Sequence, residues 1–141
     1  MSSAVPGVKA AFLLDTNILI YLSKQRTPAI VSRMSKLLVG EAVISVITCG
    51  ELCFGAARSV KPAATQKVVN QLVAAFPVLE VSEAAAREYG KLRAQLAARG
   101  TPIGPNDLWL AAQAKSEGLT LVTNNEREFR RVSGLKIEIW L

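Results

Sequence analysis

The chain has 141 residues, half of them apolar and a fifth charged, which fits a single globular domain over 1–141 and excludes a disordered chain. Histidine is absent, so Ser-His-Asp triads, other histidine bases and imidazole-ligated zinc are excluded. Seventeen Lys and Arg against eleven Asp and Glu give +6, a balance suited to an anionic partner such as nucleic acid.

The apolar run Val8 to Leu14 ends on Asp15-Thr16-Asn17 and predicts a buried strand. It is too short for a secretory signal, and no run approaches the ~18 apolar residues of a membrane span. A soluble, cytoplasmic protein is expected. Ile18 to Leu22 predicts a brief helix, followed by a polar break at Lys24-Gln25-Arg26-Thr27. Pro28 opens a helix that runs to Gly40, with Ile30, Val31, Met34, Leu37 and Leu38 on its inner face. Ala42 to Val46 is a β-branched second strand, and Ser45 or Thr48 can cap the helix behind it. In that helix Cys49, Leu52, Cys53 and Ala56 share a face, so both cysteines read as buried thiols of a reduced protein. Two cysteines alone fall short of a four-ligand metal site.

Pro62 opens the next helix, with Val68, Val69, Leu72 and Val73 inward, and Pro77 closes it. Val78 to Val81 is a third strand, after which Ser82 caps a long helix from Glu83 to Ala98, stopped by Gly100. Beyond the rigid loop TPIGP, Asn106 is the expected cap of a helix from Asp107 to Glu117, with Gly118 as its stop. Leu119 to Val122 is a fourth strand, Glu126 to Arg130 a short helix, and Ile137 to Trp140 a fifth, edge strand. Apolar strands alternating with helices predict a doubly wound α/β fold. This is a three-layer α/β/α sandwich around a mostly parallel sheet of four to five strands.

In such a sheet, ligands bind beyond the carboxyl ends of the strands, where strand order reverses. Asp15 follows strand one, Glu51 lies early in the helix after strand two, Asp107 begins the helix after TPIGP, and Asn124 and Asn125 follow strand four. Both aspartates of the chain belong to that set. Each acid has a plain structural alternative. Asp15 can cap the next helix, Asp107 can favour a helix dipole, and Glu51 can be a solvated position. Together, converging carboxylates repel one another unless a hard divalent cation joins them, and Mg²⁺ or Mn²⁺ accepts such oxygen ligands. Such an ion supports phosphodiester hydrolysis. Thr16, Asn17, Thr123, Asn124 and Asn125 stand ready to orient ligands or phosphate around it.

The segments LLDTNILIYL, SVITCGELCFGA, GPNDLWLAAQA and LVTNNEREFRRV, in that order, resemble the successive motifs of the PIN-domain superfamily. More closely they resemble VapC-type toxins of bacterial toxin–antitoxin pairs, over nearly the whole chain from Phe12 to Trp140. The resemblance implies a PIN-like fold and a Mg²⁺-dependent endoribonuclease that inhibits translation. It implies catalytic and metal-binding acids at Asp15, Glu51 and Asp107. It also implies a homodimer, a small VapB-type antitoxin whose tail enters the site, and an RNA substrate. Initiator tRNA cut in the anticodon loop is the substrate of similar enteric toxins. Many members carry a further Asp after strand four, where this chain has Asn124-Asn125, so Glu126 or Glu128 is left to replace that charge.

Arg127, Arg130 and Arg131 adjoin the presumed site and suit contacts to RNA phosphates or to an acidic antitoxin tail. Arg87, Lys91, Arg93 and Arg99 read instead as the solvated face of one helix. Aromatic residues are few, which limits extended base stacking, and Trp109 and Phe129 read as core. Two competing readings have their own signatures. A noncatalytic nucleic-acid-binding or regulatory module would leave the acids structural. A phosphatase with an aspartyl nucleophile would need Asp-x-Asp after strand one, and Asn17 holds the second position.

Overall fold

A computed structural model describes residues 7–24 and 27–140. Gln25 and Arg26 of the expected polar break lie outside the described residues, as do the first six residues and the last. Five strands form one sheet: β1 (Phe12–Leu14), β2 (Ala42–Ser45), β3 (Val78–Leu79), β4 (Thr120–Val122) and β5 (Ile137–Glu138). Their order is β3-β2-β1-β4-β5, and every pairing is parallel. The chain therefore builds outward from β1 to β2 and β3, then crosses back and continues on the other side of β1. Strand order reverses between β1 and β4, which opens a crevice at their carboxyl ends.

Both faces of the sheet are covered, and the strands show it residue by residue. Leu13, Val43 and Leu121 enter one apolar cluster with Leu92, Leu96, Leu108, Leu110 and Phe129. Their neighbours Leu14, Ile44 and Val122 enter the other, with Ile18, Leu19, Ile30, Leu52 and Val69. That alternation is the two-residue period of a strand, here apolar on both faces because helices lie on both. The helices are α1 (Thr16–Lys24), α2 (Pro28–Ser35), α3 (Val46–Ala57), α4 (Pro62–Ala74), α5 (Glu83–Ala98), α6 (Pro105–Glu117) and α7 (Glu126–Phe129). The first four pack with the second cluster, and α5 to α7 pack with the first. The expected three-layer sandwich is the architecture observed.

Several local expectations are corrected. The strands are shorter than the apolar runs; β1 begins at Phe12 rather than Val8. The α2 helix ends at Ser35, so Leu38 never joins its inner face and is 57% exposed, while Val31 points outward. Val69 rather than Val68 faces inward on α4. Cys53 is exposed and Cys49 only half-buried, because Leu52 and Ala56 take the inward stripe of α3. Ser45 caps α3 by accepting the Ile47 N–H at 3.0 Å, and Ser82 caps α5 through the Ala85 N–H at 3.1 Å. Asn106 is not the cap of α6: Gly104 takes that position and Pro105 the first helical one, where a missing N–H costs nothing. Gly118 closes α6 at φ 68, a left-handed conformation that glycine adopts without strain.

Leu121 is fully buried in β4, beside the crevice-forming β1. Leu121→Ala is expected to lower unfolding free energy by about 2–5 kcal/mol, read from the urea midpoint at unchanged slope.

Candidate active site

Asp15 is the first residue past the central strand, and the ladder carries it into the crevice. Its N–H donates to the Val122 carbonyl at 2.9 Å, which ties the end of β1 to the end of β4. The side chain is 4% exposed. One carboxylate oxygen accepts the Thr16 N–H at 2.7 Å, and the other accepts the Thr123 hydroxyl at 2.7 Å. Both donors are neutral. Burial pushes the Asp15 carboxyl above the ordinary aspartate range, the two hydrogen bonds pull it down, and the charges of Glu51 and Glu128 raise it again.

Glu51 reaches the crevice from α3. Its Oε1 accepts the Thr16 hydroxyl at 2.7 Å. The Thr48 hydroxyl lies 3.1 Å from that of Thr16. Thr16 has a single hydroxyl proton and gives it to Glu51, so Thr48 is the donor to Thr16. The fully buried Thr48, expected only as a helix cap, thus steadies the threonine that orients Glu51.

Asp107 enters from the first turn of α6. Its carboxyl is pushed up to about 7, first by burial, then by the charges of Asp15 and Glu128, a hydrogen bond with Glu128, and the Glu51 charge. Glu128, on α7, is therefore the fourth acid of the crevice. It accepts the Asn125 side-chain N–H at 2.5 Å, while Asn125's own N–H donates to Thr123 at 2.9 Å. Glu126, the other candidate replacement, instead pairs with Arg130 on the outside of the same short helix. Helical geometry decides between them: residues two apart face different ways. Both polar atoms of the Asn124 side chain are buried without a hydrogen-bond partner. Asn17 is exposed on α1.

The basic residues are less central than expected. Arg130 is engaged by Glu126, and Arg131 donates to the Pro102 carbonyl at 2.9 Å, leaving Arg127 as the exposed cation of α7. On α5, Arg87 pairs with Glu83 and Arg93 donates to the Tyr89 hydroxyl at 3.0 Å, as expected of a solvated helix face. Phe129 is core. Trp109 is half-buried and stacked on Tyr89, with centroids 3.8 Å apart.

The charges of Glu51 and Glu128 add to the cost of ionising Asp15 and Asp107, and no Lys or Arg is hydrogen-bonded to any of the four among the described residues. No three acidic or thiol side chains of the described residues stand at metal-ligand spacing. The donor set still fits a hard divalent cation: hard oxygens, surplus negative charge, and an orphaned amide at Asn124.

The PIN-domain family profile matches residues 12–135. The chain belongs to the PIN-domain family. It is 44% identical over 129 residues to the tRNA(fMet)-specific endonuclease VapC of Shigella flexneri, covering 92% of this chain and 97% of that protein. Ribonuclease VapC2 of Haemophilus influenzae is 40% identical over 130 residues, covering 92% and 98%. The DNA-bound VapBC crystal structure from Salmonella typhimurium superposes with a TM-score of 0.88 at 41% identity, covering 94% of this chain and 99% of that one. Within the PIN-domain family the chain is of the VapC type.

Stability without cation should carry the mark of this acid cluster. Asp107 binds a proton more tightly folded than unfolded, so its contribution to stability falls as pH rises from the ordinary 3.8 toward about 7. In chelator above that range, Asp107→Asn is expected to be more stable than the parent by on the order of 1 kcal/mol, about 2–4 °C in Tm. The advantage should shrink toward zero near about pH 4. Equal melting at every pH would contradict the crowding of charge.

Proposed function

We propose that this PIN-domain protein is the endoribonuclease toxin of a toxin–antitoxin pair, hydrolysing RNA phosphodiester bonds with Mg²⁺, or Mn²⁺ in its place, and thereby stopping translation in the cytoplasm. The observation that carries the reading is that Asp15, Glu51 and Glu128 lie near enough to Asp107, at the strand-order reversal, to raise its carboxyl by their charge, with no Lys or Arg hydrogen-bonded to these acids among the described residues. Asp15 and Asp107 hold the cation, with Glu51 and Glu128 completing the negative ring. When bound, the cation supplies charge neutralisation and Lewis acidity at the scissile phosphate.

The remaining work falls to the chain. Thr16 N–H and the Thr123 hydroxyl fix both oxygens of Asp15, so the carboxylate needs no reorganisation when substrate arrives. The Thr48–Thr16 relay does the same for Glu51. Asn125 performs that office for Glu128, and the orphaned Asn124 amide offers a donor and an acceptor to ligand or water. Arg127 supplies a rim charge for the RNA backbone. The Shigella relative's name supports initiator tRNA as the substrate, cut in its anticodon loop. A homodimer is the proposed toxin unit.

Asp15→Asn, Glu51→Gln and Asp107→Asn are each expected to lower RNA cleavage at least about a hundredfold while the fold is kept. Undiminished cleavage by a well-folded Asp107→Asn protein in Mg²⁺ would refute the site.

The partner supported by the VapBC neighbours is a small antitoxin. We propose that its tail bears an acid for Arg127 at the rim and one Arg or Lys that takes the cation's place between Asp15 and Asp107. Antitoxin binding is then expected to weaken with salt and to compete with Mg²⁺ in calorimetric titration. Metal affinity unchanged by bound antitoxin would exclude occlusion of the site.

A further inference from the structure

Asp107 and Glu128 carry like charges and come from separate elements. Asp107 lies in the first turn of α6, behind the loop 99–104, and Glu128 rides on α7, a helix of four residues. So short a helix is marginal by itself, and charge repulsion pushes its acid away from Asp107. Two arginines join loop and helix. The Arg131 guanidinium, just past α7, donates to the Pro102 carbonyl at 2.9 Å. The Arg99 guanidinium, at the other end of the same loop, donates to the Arg131 carbonyl at 2.9 Å. Arg131 also closes the α7 turn, its N–H donating to the Glu128 carbonyl at 3.1 Å. Underneath, Ile103 of the loop shares a buried apolar cluster with Phe129 and Val132.

Resting on the nuclease reading above, we infer that Arg99 and Arg131 are positioning residues, which clamp α7 to the loop before α6 and so keep Glu128 beside Asp107 for a cation that the acids share. The path from each clamp bond to its acid is short and stiff. Between Pro102 and Asp107 the chain passes the buried Ile103 and then Pro105, whose ring fixes φ. Between Arg131 and Glu128 a single backbone hydrogen bond closes the turn. An arginine that serves RNA phosphates keeps its guanidinium free, as the exposed Arg127 does. Arg131 is only half-exposed and turns its guanidinium to a main-chain carbonyl. The two roles also predict opposite signs. By charge alone, removing an arginine near the acids would tighten cation binding, because like charges repel. Removing a clamp lets Glu128 move away from Asp107 and weakens cation binding.

The probe is Mn²⁺, titrated calorimetrically into RNA-free protein. Arg131→Ala and Arg99→Ala should each weaken Mn²⁺ binding about tenfold, the scale on which groups that hold a metal's ligands act. Arg127→Ala removes a charge of the same sign from α7 without touching the clamp, and should bind Mn²⁺ at least as tightly as the parent. Cleavage of an RNA that the parent cuts should fall for Arg131→Ala at low Mn²⁺ and return when Mn²⁺ is raised about tenfold. Arg99 is exposed, so Arg99→Ala keeps the clamp testable if Arg131→Ala does not fold. A lower Tm in chelator with unchanged Mn²⁺ affinity would make both arginines merely structural and overturn the assignment. Unchanged Mn²⁺ affinity with weaker RNA binding in chelator would make Arg131 a phosphate contact and overturn it too, as would an equal loss of Mn²⁺ affinity in Arg127→Ala. If the parent binds Mn²⁺, the clamp variants bind it more weakly and no RNA is cut, the nuclease reading falls and the clamp stands. RNA cleavage with equal Mn²⁺ affinity in parent and clamp variants would do the reverse. A parent that binds no Mn²⁺ would overturn both.

Discussion

Asp15 is buried at the end of the central strand with each carboxylate oxygen held by a neutral donor, and no Lys or Arg among the described residues is hydrogen-bonded to it. Neutral hydrogen bonds orient a charge without cancelling it. Asp107 carries a like cost: burial first, then the charges of Asp15 and Glu128, push its carboxyl up to about 7. A purely structural buried aspartate would be expected to pair with Lys or Arg, because an uncompensated buried charge is costly. Here the cost is retained, and it is the kind of frustration that functional sites carry and folds elsewhere avoid.

The parallel sheet is what makes that concentration possible. Residues 15, 51, 107 and 128 are scattered along the chain, but the reversal of strand order between β1 and β4 brings their segments to one edge. Two apolar layers, one on each face, fix the strands so that a shift of register would turn every inward residue outward. The edge strands β3 and β5 are only two residues long, which limits the unpaired backbone offered to other chains. The rigid frame and the strained electrostatic site are therefore parts of one arrangement.

Much of this was legible because the governing signals are local. Apolar runs ending at Asp15 and Val122 locate the central strands, and Ser45, Ser82 and Gly118 mark helix ends by capping chemistry. Where two local signals compete, sequence alone misjudges. At Pro105 the first-turn proline prevails over Asn106 as a cap, and at Cys53 membership of an apolar helix hides which side faces the core. The choice of Glu128 over Glu126 depends on the rotation of a four-residue helix, too short to show periodicity. Thr48 was legible only as a cap because its partner, Thr16, is 32 residues away.

Charge is divided in the same spirit across the molecule. The excess of basic residues, which gives +6, stands largely on the surface, where Arg87, Lys91 and Arg130 pair with exposed acids on their own helices. Such exposed pairs contribute little to stability, and they leave the inner carboxylates untouched. The outer charge draws an anionic strand toward the protein over a distance set by ionic strength. Close in, the same strand meets four acids and would be repelled. On the proposed nuclease reading, approach and reaction have opposite electrostatic requirements, which a cation between acid and phosphate would reconcile. A nuclease of the proposed kind would meet its substrate's surroundings through surface arginines and its reacting phosphate through a bound cation.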